Sequence, residues 1–97
     1  MTNSYDLKNK KILITGSNGR LGRAYAIALL ENGAVVYLTD IQGELDLSLK
    51  QELSQKKLTN YQYFKMDITS EKDLLQVEKK IEDGVDILIN NAGAKSV

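Results

Sequence analysis

Residues 11–22 read KILITGSNGRLG, a short apolar run followed at once by glycines at positions 16, 19 and 22. The run from Lys11 to Thr15 has the length and aliphatic content of a buried strand. From Arg20 onward apolar residues recur at helical spacing, so the glycines lie between a predicted strand and a predicted helix. The rest of the fold is predicted outward from this strand, turn and helix.

Strand-like and helix-like segments continue to alternate along the chain. Further strands are predicted at 34–38, 61–66 and 85–89, and helices at 20–32, at 44–57 and from Thr69 or Ser70 to Gly84. Strands joined by helices pair in parallel, and right-handed crossovers place the first two helices on one face and the third on the other. The expected fold is α/β, a parallel four-stranded sheet in the order 3-2-1-4 with three crossover helices.

Each predicted helix has an apolar stripe that we expect to face the sheet. Ser70 and Asp73 resemble a capping box at the start of the third helix. The stripes consist of Leu21, Ala24, Tyr25, Ala28 and Leu29 in the first helix, Leu45, Leu49 and Leu53 in the second, and Leu74, Val77 and Ile81 in the third.

The predicted sheet is not fully covered. The first and fourth strands are apolar on both faces, as buried parallel strands are, yet a single helix cannot cover the second face of four strands. The fourth strand would also be an open edge. We therefore expect an incomplete domain, covered either by further chain or by a second copy.

Composition excludes several classes of function. Lys plus Arg and Asp plus Glu are 13 each, so no charge excess points to nucleic acid. The sequence has no cysteine and no histidine, which excludes disulfides and thiolate sites and leaves no support for metal binding. The polar first residues lack a signal-peptide core and no run is long enough to span a membrane, so we expect a cytoplasmic protein.

The glycine turn has the features of a phosphate-binding turn. Glycines allow a tight turn, close approach of a pyrophosphate and close packing of the helix on the strand, and the helix N-terminus offers free amides and a positive dipole end. The strand and helix on either side supply the context that this motif requires. The predicted phosphate-binding residues are Gly16, Ser17, Asn18, Gly19, Arg20, Leu21 and Gly22.

Two aspartates follow the next two strands. Asp40, which closes the second strand, could accept the hydroxyls of an adenosine ribose and would repel a 2′-phosphate, which favours NAD over NADP. Arg20 complicates this preference, because a guanidinium near the ribose could tolerate a phosphate, although solvent exposure or a pyrophosphate contact is the role we expect of it. Asp67, after the third strand, could bind the adenine amino group beside the Ile68 backbone. A solvated turn residue is the alternative for each aspartate.

Together these residues resemble the short-chain dehydrogenases/reductases. The resemblance rests on Thr15-Gly16…Gly22, on Asp40, on Asp67-Ile68, and above all on DILINNAG at 86–93, and it covers the chain from about Leu7 to Gly93. It implies that residues 1–97 are the N-terminal half of a dinucleotide-binding Rossmann domain. It also implies that Asn90, Ala92 and Gly93 line the cofactor while Asn91 braces the strand end.

The chain departs from this family in two respects. Its common branch has a glycine where Arg20 stands, whereas the spacing here resembles the extended branch of sugar-nucleotide epimerases and dehydratases. The family's serine, Tyr-x-x-x-Lys pair and helix asparagine all follow the fourth strand, so no catalytic residue is predicted here. Tyr61 and Lys65 have the right spacing, but a strand would hold their Cα atoms roughly 13 Å apart.

These observations support one leading function and leave two alternatives. The leading one is the NAD-binding portion of an oxidoreductase that moves hydride between nicotinamide and a carbonyl or alcohol substrate, with this chain alone inactive. One alternative is a stand-alone dinucleotide-binding or sensing module, a homo-oligomer that dimerises over the bare sheet face. The other is a fragment of an extended-branch isomerase or dehydratase.

Overall fold

The computed structural model describes residues 7–91, in which strands and helices alternate as predicted. Most predicted ends differ from the observed ones by only one to three residues, the usual uncertainty at element termini. In chain order the elements are β1 (Lys11–Thr15), α1 (Arg20–Glu31), β2 (Val35–Asp40), α2 (Leu47–Gln55), β3 (Tyr61–Lys65), α3 (Glu71–Lys80) and β4 (Ile87–Asn90).

Side-chain caps fix where α2 and α3 begin. The Asp46 carboxylate accepts the Leu49 N–H at 3.1 Å, so α2 starts at Leu47. Residues 44–46, predicted as the first turn of this helix, belong to the preceding loop. Ser70 Oγ accepts the Asp73 N–H at 3.1 Å, as a capping box requires. The second bond of a capping box, from the Ser70 N–H to the Asp73 side chain, is not formed, because the Asp73 carboxylate accepts the Asp67 N–H instead.

All strand pairs are parallel, and the order β3-β2-β1-β4 confirms the predicted 3-2-1-4 sheet. β1 is central and pairs with β2 on one side and β4 on the other. Thr15, its last residue, is in register with both Thr39 and Asn90. The turn after β1 therefore lies between the carboxyl ends of two neighbouring strands.

The helices pack on the two faces as expected. Side chains that alternate along the strands separate into two apolar clusters, one with α1 and α2 and the other with α3. The first contains Ile12, Ile14, Ala26, Leu30, Ala34, Val36, Leu38, Leu49 and Leu53, and the second contains Tyr37, Met66, Val77 and Ile81.

The predicted stripe of α1 is wrong. Leu21 and Tyr25 are 52% and 38% exposed, and the helix buries Gly22, Ala26 and Leu30 instead. The physical reason is the short distance between the helix and the end of β1. A Cβ on Gly22 would lie 2.2 Å from the Gly16 carbonyl oxygen, so the first turn of α1 has room only for glycine where it crosses the end of β1.

The α3 face of the sheet is only partly covered. Val77 and Ile81 are buried as predicted, whereas Leu74 is 39% exposed. On β4, the strand that was expected to lie at an open edge of the sheet, Ile87 is 41% and Leu88 57% exposed. An open groove of about 840 Å³ runs between α3 and the β1–β4 pair. Among residues 7–91, no helix is both long and apolar enough to cross a membrane.

Candidate functional site

The turn after β1 reverses the chain at the carboxyl edge of the sheet. Gly16 has φ +72°, a conformation that favours glycine, and its carbonyl accepts the Gly19 N–H at 3.2 Å. The Ser17 N–H donates to the Thr39 carbonyl at 2.9 Å, which fixes the turn against the end of β2. The predicted phosphate-binding glycines therefore lie together at the edge where ligands bind in open α/β sheets.

The N-terminus of α1 presents backbone amides that no side chain of the helix itself caps. Gly19 is the N-cap and offers no side-chain cap, and the first turn contains no acidic residue. The first intrahelical bond runs from the Arg23 N–H to the Gly19 carbonyl, which leaves the earlier amides without helical partners. Arg20 and Leu21 are exposed on this turn. Free amides, a dipole end and a nearby guanidinium are suited to an anion.

Ser17 is enclosed rather than open to a ligand. The residue is fully buried, and its Oγ has no hydrogen-bond partner within residues 7–91. A Cβ on Gly22 would also lie 2.9 Å from the Ser17 Cα, so the first turn of α1 packs directly over this residue. Ser17 therefore supports the turn by packing beneath the first turn of α1.

Asp40 lies next to the glycine turn, at the end of β2. Its Oδ2 accepts the Asn18 N–H at 2.8 Å and its Oδ1 accepts the Ile41 N–H at 2.7 Å. The carboxylate is partly buried, and each oxygen keeps a lone pair for a further donor. Two backbone amides thus hold it in place while leaving it able to accept from a ligand.

The Asn18 side chain makes contacts that the sequence did not predict. Its Nδ2 donates to Gln42 Oε1 at 3.0 Å and to the Glu44 carbonyl at 3.2 Å, and its Oδ1 accepts the Asp46 N–H at 2.8 Å. These partners lie 24 to 28 residues along the chain, and no local pattern marks them. The side chain is therefore committed to the loop between β2 and α2.

Tyr63, on β3, is a further residue that sequence reasoning missed here. Its hydroxyl donates to the Gln42 carbonyl in that same loop. Burial raises the pKa of the Tyr63 phenol, and the negative charge of Asp40 raises it further. Neighbouring strands of a parallel sheet bring the two side chains together, and their closeness depends on the register of β2 with β3, which the predicted strand order does not fix.

The end of β4 closes the other side of the turn. Thr15 Oγ1 donates to Asn90 Oδ1 at 3.0 Å, and Asn91 Nδ2 donates to the Gly16 carbonyl at 3.1 Å. The second bond is the bracing contact that the resemblance led us to expect of Asn91. Ala92 and Gly93, also predicted to line the cofactor, lie outside the described residues.

Asp67 forms a local turn at the end of β3. Its Oδ1 accepts both the Thr69 hydroxyl at 2.7 Å and the Thr69 N–H at 2.9 Å, and these bonds hold the pKa of the Asp67 carboxyl below its usual value. Ile68 is half-buried and packs against the α3-side cluster. Asp67 and Ile68 therefore lie at the same edge of the sheet as Asp40, but the Asp67 carboxylate already accepts hydrogen bonds within its own turn.

The family model for short chain dehydrogenases matches residues 10–97. The chain belongs to this family. A curated relative in the short-chain family, 3-oxoacyl-acyl-carrier-protein reductase FabG from Aquifex aeolicus, is 34% identical over 90 residues, which are 90% of this chain and 36% of the relative. The chain thus spans about a third of the length of that relative.

Solved structures give the same result. An NADH-dependent reductase, A1-R′, complexed with NAD matches with a TM-score of 0.73 and 36% identity, covering 88% of this chain and 36% of that one. RhlG of Pseudomonas aeruginosa, in a complex with NADP, matches with a TM-score of 0.75 and 29% identity, covering 90% and 36%. Short-chain relatives with this fold therefore include one bound to NAD and one bound to NADP.

Proposed function

We propose that this chain binds NAD in preference to NADP, as the cofactor-binding part of an oxidoreductase that transfers hydride between nicotinamide and a carbonyl or alcohol carbon. The observation that carries the proposal is the Asp40 carboxylate, held beside the glycine turn by the Asn18 and Ile41 amides. Family membership supplies the reaction class, and the nicotinamide, when bound, supplies the hydride chemistry.

The pyrophosphate fits the N-terminus of α1. The unpartnered amides of the first turn would donate to it, and Arg20 would add a positive charge at the rim. Gly16, Gly19 and Gly22 keep the backbone close, and the enclosed Ser17 supports the turn. Leu21 would contribute its backbone amide, since its exposed aliphatic side chain has no hydrogen-bond donor.

The preference for NAD follows from charge. A carboxylate at the end of β2 accepts the ribose hydroxyls of NAD, whereas the 2′-phosphate of NADP would meet like-charge repulsion. Partial burial of Asp40 weakens solvent screening and so strengthens both effects. Asp67 and Ile68 would contact adenine, and Asn90, Ala92 and Gly93 would line the path towards nicotinamide.

We infer that the 97-residue chain does not itself turn over a substrate. The sequence contains one Tyr-x-x-x-Lys segment, Tyr61 to Lys65, and those two residues are the opposite ends of β3. On a strand they are roughly 13 Å apart, too far for the lysine to act on the phenol. A small-molecule substrate would be reduced or oxidised only by a protein that also carries the family's catalytic residues.

Calorimetric titration of the chain with NAD and NADP tests the cofactor proposal. NAD should bind more tightly, and Asp40→Asn should weaken NAD by about tenfold, because a hydrogen bond to a charged acceptor is lost, while strengthening NADP. Asp83→Asn removes one charge from an exposed turn outside the site and is the matched control. Tighter binding of NADP by the wild type, or binding of neither dinucleotide, would overturn the proposal.

A further inference from the structure

We propose that Asn18 is a positioning residue that sets the discrimination between NAD and NADP, through the loop that follows Asp40 and without its side chain touching the cofactor. The inference rests on the proposed function. The loop concerned, residues 41–46, joins β2 to α2 and is called here the β2–α2 loop.

The Asn18 side chain spans the β2–α2 loop from beginning to end. Nδ2 donates to Gln42 near the start and to Glu44 in the middle, and Oδ1 accepts from Asp46 at the end. Both amide hydrogens and the amide oxygen are therefore used within the loop. The amide makes these bonds to residues of the loop and not to the turn that carries it.

The first part of the β2–α2 loop has little apolar packing. Ile41 is 57% exposed, and a Cβ on Gly43 would meet no atom within 4 Å. Two further polar anchors come from outside the loop: the Tyr63 hydroxyl, which donates to the Gln42 carbonyl, and the Arg23 guanidinium, which lies 3.7 Å from the Asp46 carboxylate. The end of the loop is also held by Leu45, which packs partly against the cluster under α1 and α2. Residues 41–44 lack such packing, so the hydrogen bonds of Asn18 and Tyr63 position this first part of the loop.

Asp40 is the residue immediately before this loop. The Ile41 N–H that orients Asp40 Oδ1 belongs to the loop itself, so a loose loop frees half of the carboxylate. A freed carboxylate would lose its aligned bonds to the ribose hydroxyls and could turn away from a 2′-phosphate. Affinity for NAD would fall, because the hydrogen bonds to its ribose would be lost. Affinity for NADP would hold or rise, because the repulsion of its 2′-phosphate would weaken.

Asn18→Ala removes the three side-chain bonds and keeps the backbone N–H that donates to Asp40. We expect NAD to bind about tenfold more weakly and NADP to bind equally or more tightly, so that the ratio of the two affinities falls at least tenfold. Gln42→Ala, which leaves the bonds to Glu44 and Asp46 intact, should change the ratio by less than about threefold.

A second pair of variants releases the loop from another of its anchors. Tyr63→Phe removes only the hydroxyl and should lower the same ratio by a smaller factor. Tyr61→Phe, on the same strand, is its control and should leave the ratio unchanged. These two substitutions keep the aromatic rings and provide the test even if Asn18→Ala fails to fold.

The ratio separates a positioning role from a structural one. General loosening of the site by Asn18→Ala would weaken NAD and NADP equally, and an unchanged ratio in both Asn18→Ala and Tyr63→Phe would overturn the inference while leaving the proposed function intact. A wild-type chain that bound neither dinucleotide would overturn both. Faster amide exchange at residues 41–46 in Asn18→Ala is expected alongside the altered ratio.

Discussion

The backbone N–H of Asn18 donates a 2.8 Å hydrogen bond to Oδ2 of Asp40, joining the turn after β1 to the end of β2. The proposed pyrophosphate and ribose subsites are thus connected before any ligand arrives. Preorganisation of this kind lowers the entropic cost of binding, because the protein groups are already in place. The same bond holds the Asp40 carboxylate where its negative charge raises the pKa of a third residue, Tyr63.

Asp40→Asn should lower the pKa of Tyr63. Burial, the larger cause of the raised pKa, remains in the variant, whereas the charge of Asp40 is removed. A phenol with a raised pKa in the folded state contributes stability that is present below its unfolded value of 10.0 and is lost as pH rises through the folded value. The alkaline loss of stability should therefore begin at the same pH in the variant but be smaller and end at lower pH.

Absorbance at the tyrosinate band, with Tyr63→Phe used to assign the signal, measures this pKa. Tyr61→Phe serves as the control for the loss of one phenol. An Asp40→Asn titration that overlays the wild-type curve would show that the charge does not reach Tyr63.

Gly22→Ala should destabilise the fold by about 2–3 kcal/mol, because the added Cβ would meet the Gly16 carbonyl oxygen at 2.2 Å and push α1 away from the sheet. Urea denaturation followed by circular dichroism measures the change. Gly43→Ala, whose Cβ would meet nothing within 4 Å, is the matched control and should change stability by less than about 0.5 kcal/mol. Equal effects of the two substitutions would contradict the close approach of α1.

Leu53→Ala should cost about 2–5 kcal/mol of unfolding free energy, because the side chain is fully buried in the cluster under α1 and α2. Leu47→Ala, on the same helix, removes a side chain that is 67% exposed and should cost less than about 0.5 kcal/mol. Thermal melts of both variants measure the two losses of stability. A larger loss at position 47 than at 53 would show that α2 presents a different face to the sheet.

Thr69→Val should raise the pKa of Asp67 towards its usual value, since the Thr69 hydroxyl is the largest cause of the depression and the Thr69 N–H remains. A depressed carboxyl pKa stabilises the fold above the unfolded value of 3.8 and loses that contribution as pH falls below it. Carboxyl carbon shifts followed by NMR over this acid range measure the change. Thr59→Val is the control, and an unmoved Asp67 titration in Thr69→Val would exclude the hydroxyl as the cause.

The order of elements and the sheet topology followed from the sequence because they depend on few rules. Parallel strands need crossovers, crossovers are right-handed, and the glycine turn marks the end of β1. The cap at Ser70, and the end of α1 just before Gly33 with its positive φ, were equally local signals, whereas α3 ends at Lys80, before the predicted end at Gly84. Such features need no knowledge of distant residues.

Features that depend on close packing or distant partners were missed. The stripe on α1 was assigned to Leu21 and Tyr25 because periodicity rewards large apolar side chains, whereas the first turn of α1 has room only for glycine at the approach to Gly16. The commitment of Asn18 to the β2–α2 loop depends on how that loop folds back. A pattern in one sequence carries neither kind of information.

The central position of β1 has a consequence for synthesis of the chain. Ile12 pairs with Val36 on one side and with Ile87 on the other, a partner made 75 residues later. At a translation rate of roughly 5–20 residues per second, one edge of β1 waits several seconds on the ribosome before β4 emerges. During that interval one edge of the aliphatic strand has no partner, so the separation of β1 and β4 along the chain sets how long that edge stays exposed during synthesis.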